Sequence, residues 1–152
     1  MTEIMLTLEP VKEISGAIKF VDYLKKEKNY ALAFATGSLL KPAILKLEQA
    51  TIWHDIKLIS SSNNFFEREE IVKDAIERAK QYYNVVDFEN VISIGDGIWD
   101  LKTAQNLNVK FIGVGKKNYN DFKKENIKIH TEDWDHFDFE NAENILLNNT
   151  SA

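Results

Sequence analysis

A chain of 152 residues, 44% hydrophobic and 28% charged, is long enough for one globular domain with a sizeable core and too short for several. It has no cysteine, which excludes a disulfide framework, a thiolate metal site and a cysteine nucleophile. With 24 acidic against 19 basic residues and a net charge of -5, and lysines scattered singly or in short pairs, no basic stripe exists for a phosphate backbone, so nucleic acid is not an expected partner.

No apolar run approaches the roughly 18 residues of a membrane span. The opening MTEIMLTLEP also lacks the basic-then-apolar form of a signal peptide, so no membrane association and a cytoplasmic setting are expected. No repeat, low-complexity tract or linker divides the sequence, which is expected to form a single domain over residues 1–152.

In chain order, residues 10–27 carry Val11, Ile14, Ile18, Val21 and Leu24 at the spacing of a helix with one buried face. Tyr30–Ala35 (YALAFA) reads as a buried strand that feeds Thr36-Gly37-Ser38, and Pro42 suits the start of a helix continued by Ile44, Leu45 and Leu47. The unit recurs. Ile56–Ile59 is a strand candidate, followed by a polar turn at 64–67 and a helix from near Arg68 whose inner face is Ile71, Val72, Ala75, Ile76 and Ala79. Val91–Ile94 is a strand closed by Gly95-Asp96-Gly97, with Leu101, Ala104 and Leu107 on the helix behind it. Lys110–Val114 is the next strand, Ile127–Ile129 a last edge strand, and Phe139, Ala142, Ile145 and Leu146 a closing helix. Strands separated by helices cannot pair as hairpins, so the expected fold is α/β: a three-layer, Rossmann-like parallel sheet.

In such sheets ligands bind beyond the carboxyl ends of the strands. After the first of these strands, Thr36, Gly37 and Ser38 offer hydroxyls and backbone N–H groups to an oxyanion, with glycine permitting close approach; equally, they could only shape the turn and cap the next helix. Asp96 and Asp100, one helical turn apart in GDGIWD, can present hard oxygens to one Mg²⁺; equally, Asp96 could start a turn and Asp100 cap the helix. Arg68 at a helix start is disfavoured by the helix dipole, which hints at an anion to bind, although Glu67, Glu69 and Glu70 offer ordinary ion pairs.

Together, ATGS, EREEIVKDAIERA and ISIGDGIWD, in this order, with FIGVG fifteen residues later, resemble the haloacid dehalogenase-like hydrolase superfamily, in its phosphatase-like branch. By that likeness Thr36 would bind the phosphoryl group together with Gly37 and Ser38, Arg68 would steady its charge, Asp96 would bind Mg²⁺, and Asp100 would support Asp96. The implied ancestral activity is Mg²⁺-dependent hydrolysis of phosphomonoesters, with a small phosphorylated molecule as substrate.

Members of this superfamily begin with DxDx(T/V), whose first aspartate attacks phosphorus and whose second works as general acid and base. Here the only aspartate before Thr36 is Asp22, on a helix, and Asp133-Trp134-Asp135 lies behind a short polar approach that reads as a surface turn. The likeness therefore implies that the usual central first strand is missing, that residues 1–14 are the remnant of a cap or linker, and that the chain is a truncated, catalytically impaired phosphatase. The alternative is a non-catalytic module that keeps an anion and Mg²⁺ site or serves assembly. The expected gap must be closed by direct pairing of its flanks, by a strand exchanged with another copy or supplied by a partner, or by residues 3–8, where Ile4, Leu6 and Leu8 alternate with Glu3, Met5 and Thr7. His54, His130 and His136 are too dispersed for a metal cluster and are expected at the surface, and Trp99 is expected beside the Asp96 loop.

Overall fold

The chain is described by a computed structural model over residues 2–7, 14–27 and 29–148. Six parallel strands lie in the order β3-β2-β1-β4-β5-β6, where β1 is Thr2–Thr7, β2 Tyr30–Ala35, β3 Ile59–Ser60, β4 Asn90–Gly95, β5 Lys110–Val114 and β6 His130–Thr131. The helices between and after them are α1 (Ala17–Lys26), α2 (Leu40–Gln49), α3 (Arg68–Tyr83), α4 (Ile98–Leu107), α5 (Tyr119–Lys124) and α6 (Phe139–Asn148).

The expected central gap does not exist. Strand β1 occupies it, pairing Thr2–Thr7 with Tyr30–Ala35 on one side and Thr2–Leu6 with Asn90–Ile94 on the other. Thr2–Thr7 is thus the centre of the sheet and not a cap or linker remnant; Leu8 to Glu13, Val11 among them, lie outside the described residues. The physical reason is legible in TEIMLT: it carries three consecutive apolar residues and neither glycine nor proline, as a strand paired on both edges requires. Of the three ways of closing the gap that the sequence offers, the strand over residues 3–8 is the one that forms, shifted by one residue to Thr2–Thr7.

The layers follow from alternation along the strands. On β2, Leu32 and Phe34 enter one apolar cluster with α1, α2 and α6, while Ala31, Ala33 and Ala35 turn to the other face and meet Ile71, Ala75 and Ala79 of α3. Alanine facing alanine lets α3 lie close against the sheet. On that same face Leu101 and Ala104 of α4 and Phe122 of α5 pack on Phe111 of β5. Near the first face's centre Phe20 stacks on Trp134 at 4.2 Å between centroids, and Phe137 and Phe139 meet it edge-on. Trp134 is therefore a core residue, although the segment around it is the turn its sequence suggests.

Several boundaries differ from those read off the sequence. Helix α1 begins at Ala17, after Gly16 in the left-handed region (φ 86°), where a Cβ would lie 2.8 Å from the Asp135 backbone nitrogen. Its buried face is Ala17, Phe20, Val21 and Leu24, and Ile18 is exposed. Ile56–Leu58 forms one 3-10 turn rather than strand, because Asp55 accepts the Lys57 N–H at 2.9 Å and closes the backbone there. The last strand starts at His130 rather than Ile127, with only the Ile129 carbonyl accepting the Gly113 N–H. Leu45 on α2 and Ile145 on α6 are exposed, since Ala43 and Leu47, and Ala142 and Leu146, take the inward positions. No helix among the described residues is long and apolar enough to cross a membrane.

The strand order fixes where a ligand belongs. From β1 the chain steps outward through β2 and β3, then returns across β1 to β4 and steps outward the other way through β5 and β6. Successive loops therefore diverge on either side of the β1–β4 pair, opening a crevice at the carboxyl ends of the strands.

Candidate functional site

Among the described residues, four loops meet in that crevice. After β2, the Thr36 N–H donates to the Ser60 carbonyl at 3.0 Å, which ties the loop to β3, and the Thr36 hydroxyl accepts the Ser38 N–H at 3.1 Å. The turn is pinned further by the Ser62 N–H, which donates to the Ser38 carbonyl at 3.1 Å. Thr36 is buried and shapes the turn, as one of the two sequence readings had it. Ser38 does not cap α2: Leu39 stands at the N-cap, and Asn63 accepts the Leu40 N–H at 3.0 Å from the neighbouring loop.

Arg68, the first residue of α3, reaches across this loop. Its Nη1 donates to Asp100 Oδ1 at 3.3 Å, and its Nη2 stands 4.0 Å from the point where a Cβ on Gly37 would be. Glycine at 37 leaves room for the guanidinium and for anything it holds. The Arg68 side chain is 51% exposed, so its charge faces the crevice instead of being sealed against the carboxylate.

Asp100 is the buried partner, 11% exposed. Its Oδ2 accepts the Gly97 N–H at 3.1 Å, satisfying a donor at the start of α4, so Asp100 does serve as a cap. Gly95 makes this approach possible: a Cβ there would sit on the Asp100 Cβ and 2.7 Å from its Cγ. Burial pushes the Asp100 carboxyl up to about 6, above the ordinary 3.8; Arg68 and the Gly97 N–H pull the other way, and the nearby Asp96 charge adds to the rise.

Asp96, between the two glycines, is positioned through its backbone. The Asn118 side-chain amide donates to the Asp96 carbonyl at 2.8 Å, linking the loop after β4 to the one after β5. Asn118 escaped the sequence reading, as did Asn63 and Asn106, whose amide donates to Glu69 at 3.0 Å and joins α4 to α3. None carries a motif; what they share is a side-chain amide at a loop or helix flank, a common enough pattern to give no signal alone. The structure thus brings Thr36, Gly37, Ser38, Arg68, Asp96 and Asp100 to one end of the sheet and places Arg68 in contact with Asp100.

The donor set is short for a Mg²⁺ ion, which takes near-octahedral oxygen coordination. Among the described residues Asp96 and Asp100 are the carboxylates at hand, and both Asp100 oxygens already accept from Arg68 and Gly97. Among the described residues no group of three or more acidic or histidine side chains gathers to hold a metal. These residues do not by themselves fit the ion. The histidines stand apart, as expected, although His130 is half-buried against Tyr119 and Phe122 rather than free at the surface.

No curated protein matches the chain. Solved structures do. A haloacid dehalogenase hydrolase of family IA, variant 3, from Entamoeba histolytica is 19% identical with a TM-score of 0.69, over 88% of this chain and 60% of that one. A putative phosphatase from Clostridium difficile is 23% identical with a TM-score of 0.65, over 88% and 60%. A hydrolase from Pseudomonas syringae is 19% identical with a TM-score of 0.64, over 79% and 57%. The chain thus spans less than two thirds of each of these structures, and at such identities the likeness is one of fold. The family model for haloacid dehalogenase-like hydrolases matches residues 1–114, from the central strand through β5 and so across the crevice loops that carry Thr36, Arg68, Asp96 and Asp100; the chain belongs to that family.

Proposed function

We propose that the crevice binds the phosphoryl group of a small phosphorylated molecule, and that this chain retains little of the phosphomonoester hydrolysis its ancestry implies. The observation that carries the reading is the reach of Arg68 from α3 to both Gly37 and Asp100, which sets one half-exposed guanidinium between two strand-end loops. A guanidinium offers paired N–H donors to phosphate oxygens. The Gly37 backbone permits close approach, and the Thr36 hydroxyl, whose proton is not needed to hold its turn, is available as a donor. A phosphoryl group arriving here competes with Asp100 for Arg68, and the raised Asp100 carboxyl makes that exchange easier by accepting a proton when it loses its partner.

The family's covalent phosphoryl transfer uses an aspartate just after the central strand as nucleophile. Strand β1 is followed in sequence by Leu8, Glu9 and Pro10, and no aspartate precedes Asp22. Asp96 is the residue that Mg²⁺ would approach, and with the donors described its hold on the ion is weak. The second reading, a non-catalytic anion-binding module, draws support from Asp100, which is committed to Arg68 and the α4 cap instead of to a metal.

Thermal-shift titration with inorganic phosphate and with Mg²⁺ tests binding, because a ligand held by the folded state raises the midpoint. A phosphate-dependent rise is expected, with little response to Mg²⁺ alone; no rise at millimolar phosphate would overturn the binding reading. Turnover of p-nitrophenyl phosphate with Mg²⁺ should be negligible, and turnover abolished by Asp96→Ala would overturn the impairment.

A further inference from the structure

The rim of the crevice is apolar in a way that a plain phosphate site does not require. Four large exposed side chains lie within two residues of a crevice-loop residue: Leu39 beyond Gly37, Phe66 before Arg68, Trp99 before Asp100, and Tyr119 after Asn118. Phe66 is fully exposed and Trp99 is 64% exposed. Successive Cα atoms are about 3.8 Å apart, so both rings spring from backbone within about 8 Å of the backbone bearing the Arg68–Asp100 pair. They belong to neighbouring helix starts, α3 and α4, which Arg68–Asp100 and Asn106–Glu69 hold together. Trp99 is also steadied: the Thr103 hydroxyl donates to its carbonyl at 2.8 Å, and Lys102 Nζ lies 4.9 Å from its ring centroid.

Exposed aromatic surface this close to a charged site costs solvation unless a ligand covers it. An exposed guanidinium with two exposed rings on adjacent backbone matches a ligand with a charged end and a flat apolar end. We infer that Phe66 and Trp99 form a platform for the organic half of the ligand, and that the phosphorylated molecule taken by this site is an aromatic phosphomonoester. This inference rests on the phosphoryl-binding reading above and adds the chemistry of the other half of the ligand. Phe66 and Trp99 are positioning residues for that half; Arg68 and the Thr36 loop hold the phosphoryl end.

The platform is tested with the whole chain and three probes: phenyl phosphate, glycerol 2-phosphate and inorganic phosphate. Trp99 supplies the signal, since Trp134 is buried under Phe20 and Trp53 is half-buried beneath Lys25. Phenyl phosphate is expected to bind about tenfold more tightly than glycerol 2-phosphate, a stacking-sized gain, and to quench the tryptophan emission. By titration calorimetry, which needs no tryptophan signal, Trp99→Ala or Phe66→Ala should bring the two esters close to parity while inorganic phosphate keeps its affinity. Equal affinity of the two esters for the unaltered chain overturns the platform and leaves the anion site standing. So does a preference that survives both substitutions. Failure of all three probes to bind removes the anion site, and the platform with it. If the rim instead pairs two copies, sedimentation will show a dimer that Phe66→Ala dissolves, and the inference is overturned.

Discussion

Replacing Asp100 with asparagine should stabilise the protein, and by an amount that depends on pH. The Asp100 carboxyl rises from 3.8 to about 6 because burial outweighs the attraction of Arg68. The folded state therefore holds that proton more tightly than the unfolded chain, so the group favours folding most below about pH 4 and loses that contribution as pH rises through about 6. Roughly two pKa units at about 1.4 kcal/mol each amount to about 3 kcal/mol of penalty for the ionised carboxylate above pH 7. Asparagine keeps an acceptor for the Gly97 N–H and carries no charge to desolvate. Asp100→Asn should thus exceed the parent chain by up to about 3 kcal/mol at pH 8, or about 6 to 12 °C in Tm for a chain of this size, with the difference nearly gone at pH 3.5. Urea unfolding of both proteins at the two pH values measures it. A variant less stable than the parent at pH 8 would show that the ionised Asp100–Arg68 pair holds the site together, and the reasoning would fail.

Two further substitutions probe the packing. Gly95→Ala forces a methyl group onto Asp100 and must displace the start of α4, at a cost of about 1 to 3 kcal/mol, read as a lowered urea midpoint and a weakened response to phosphate. Phe20→Ala removes the ring that Trp134, Phe137 and Phe139 share, and about 3 to 5 kcal/mol of stability should go with it, together with most of the near-ultraviolet dichroism of the aromatic cluster.

The sheet was readable wherever an apolar run met a helical period. Tyr30–Ala35, Lys110–Val114 and the start of α3 at Arg68 lie where the sequence puts them, because burial on both faces forces continuous apolar strands and Ile71, Ala75 and Ala79 repeat at helical spacing. Short edge elements were less legible. Ile56–Ile59 is as apolar as a strand, yet Asp55 captures the Lys57 N–H and winds it, a local hydrogen bond that hydrophobic pattern does not register. The central strand was legible only as one of three ways to close an expected gap, through the alternation over residues 3–8. The family motif expected at that place is absent, and the absence of a motif says nothing of whether TEIMLT can pair on both edges, which its backbone does. At the site, charge and glycine spacing marked Arg68, Asp96 and Asp100, and the loops after β2, β3 and β4 bring them to one end of the sheet. That Asp100 would serve Arg68 and the α4 cap at once depended on Gly95 leaving no side chain in the way, a three-dimensional fact.

The shared pocket is tested most directly by mapping backbone amide shifts while inorganic phosphate is titrated into the labelled protein. The amides of Gly37, Ser38, Arg68 and Gly97 should move together along one binding curve and stay still in Arg68→Met. Movement confined to some other surface, or a curve unchanged by that substitution, would contradict the convergence of these loops on a single anion.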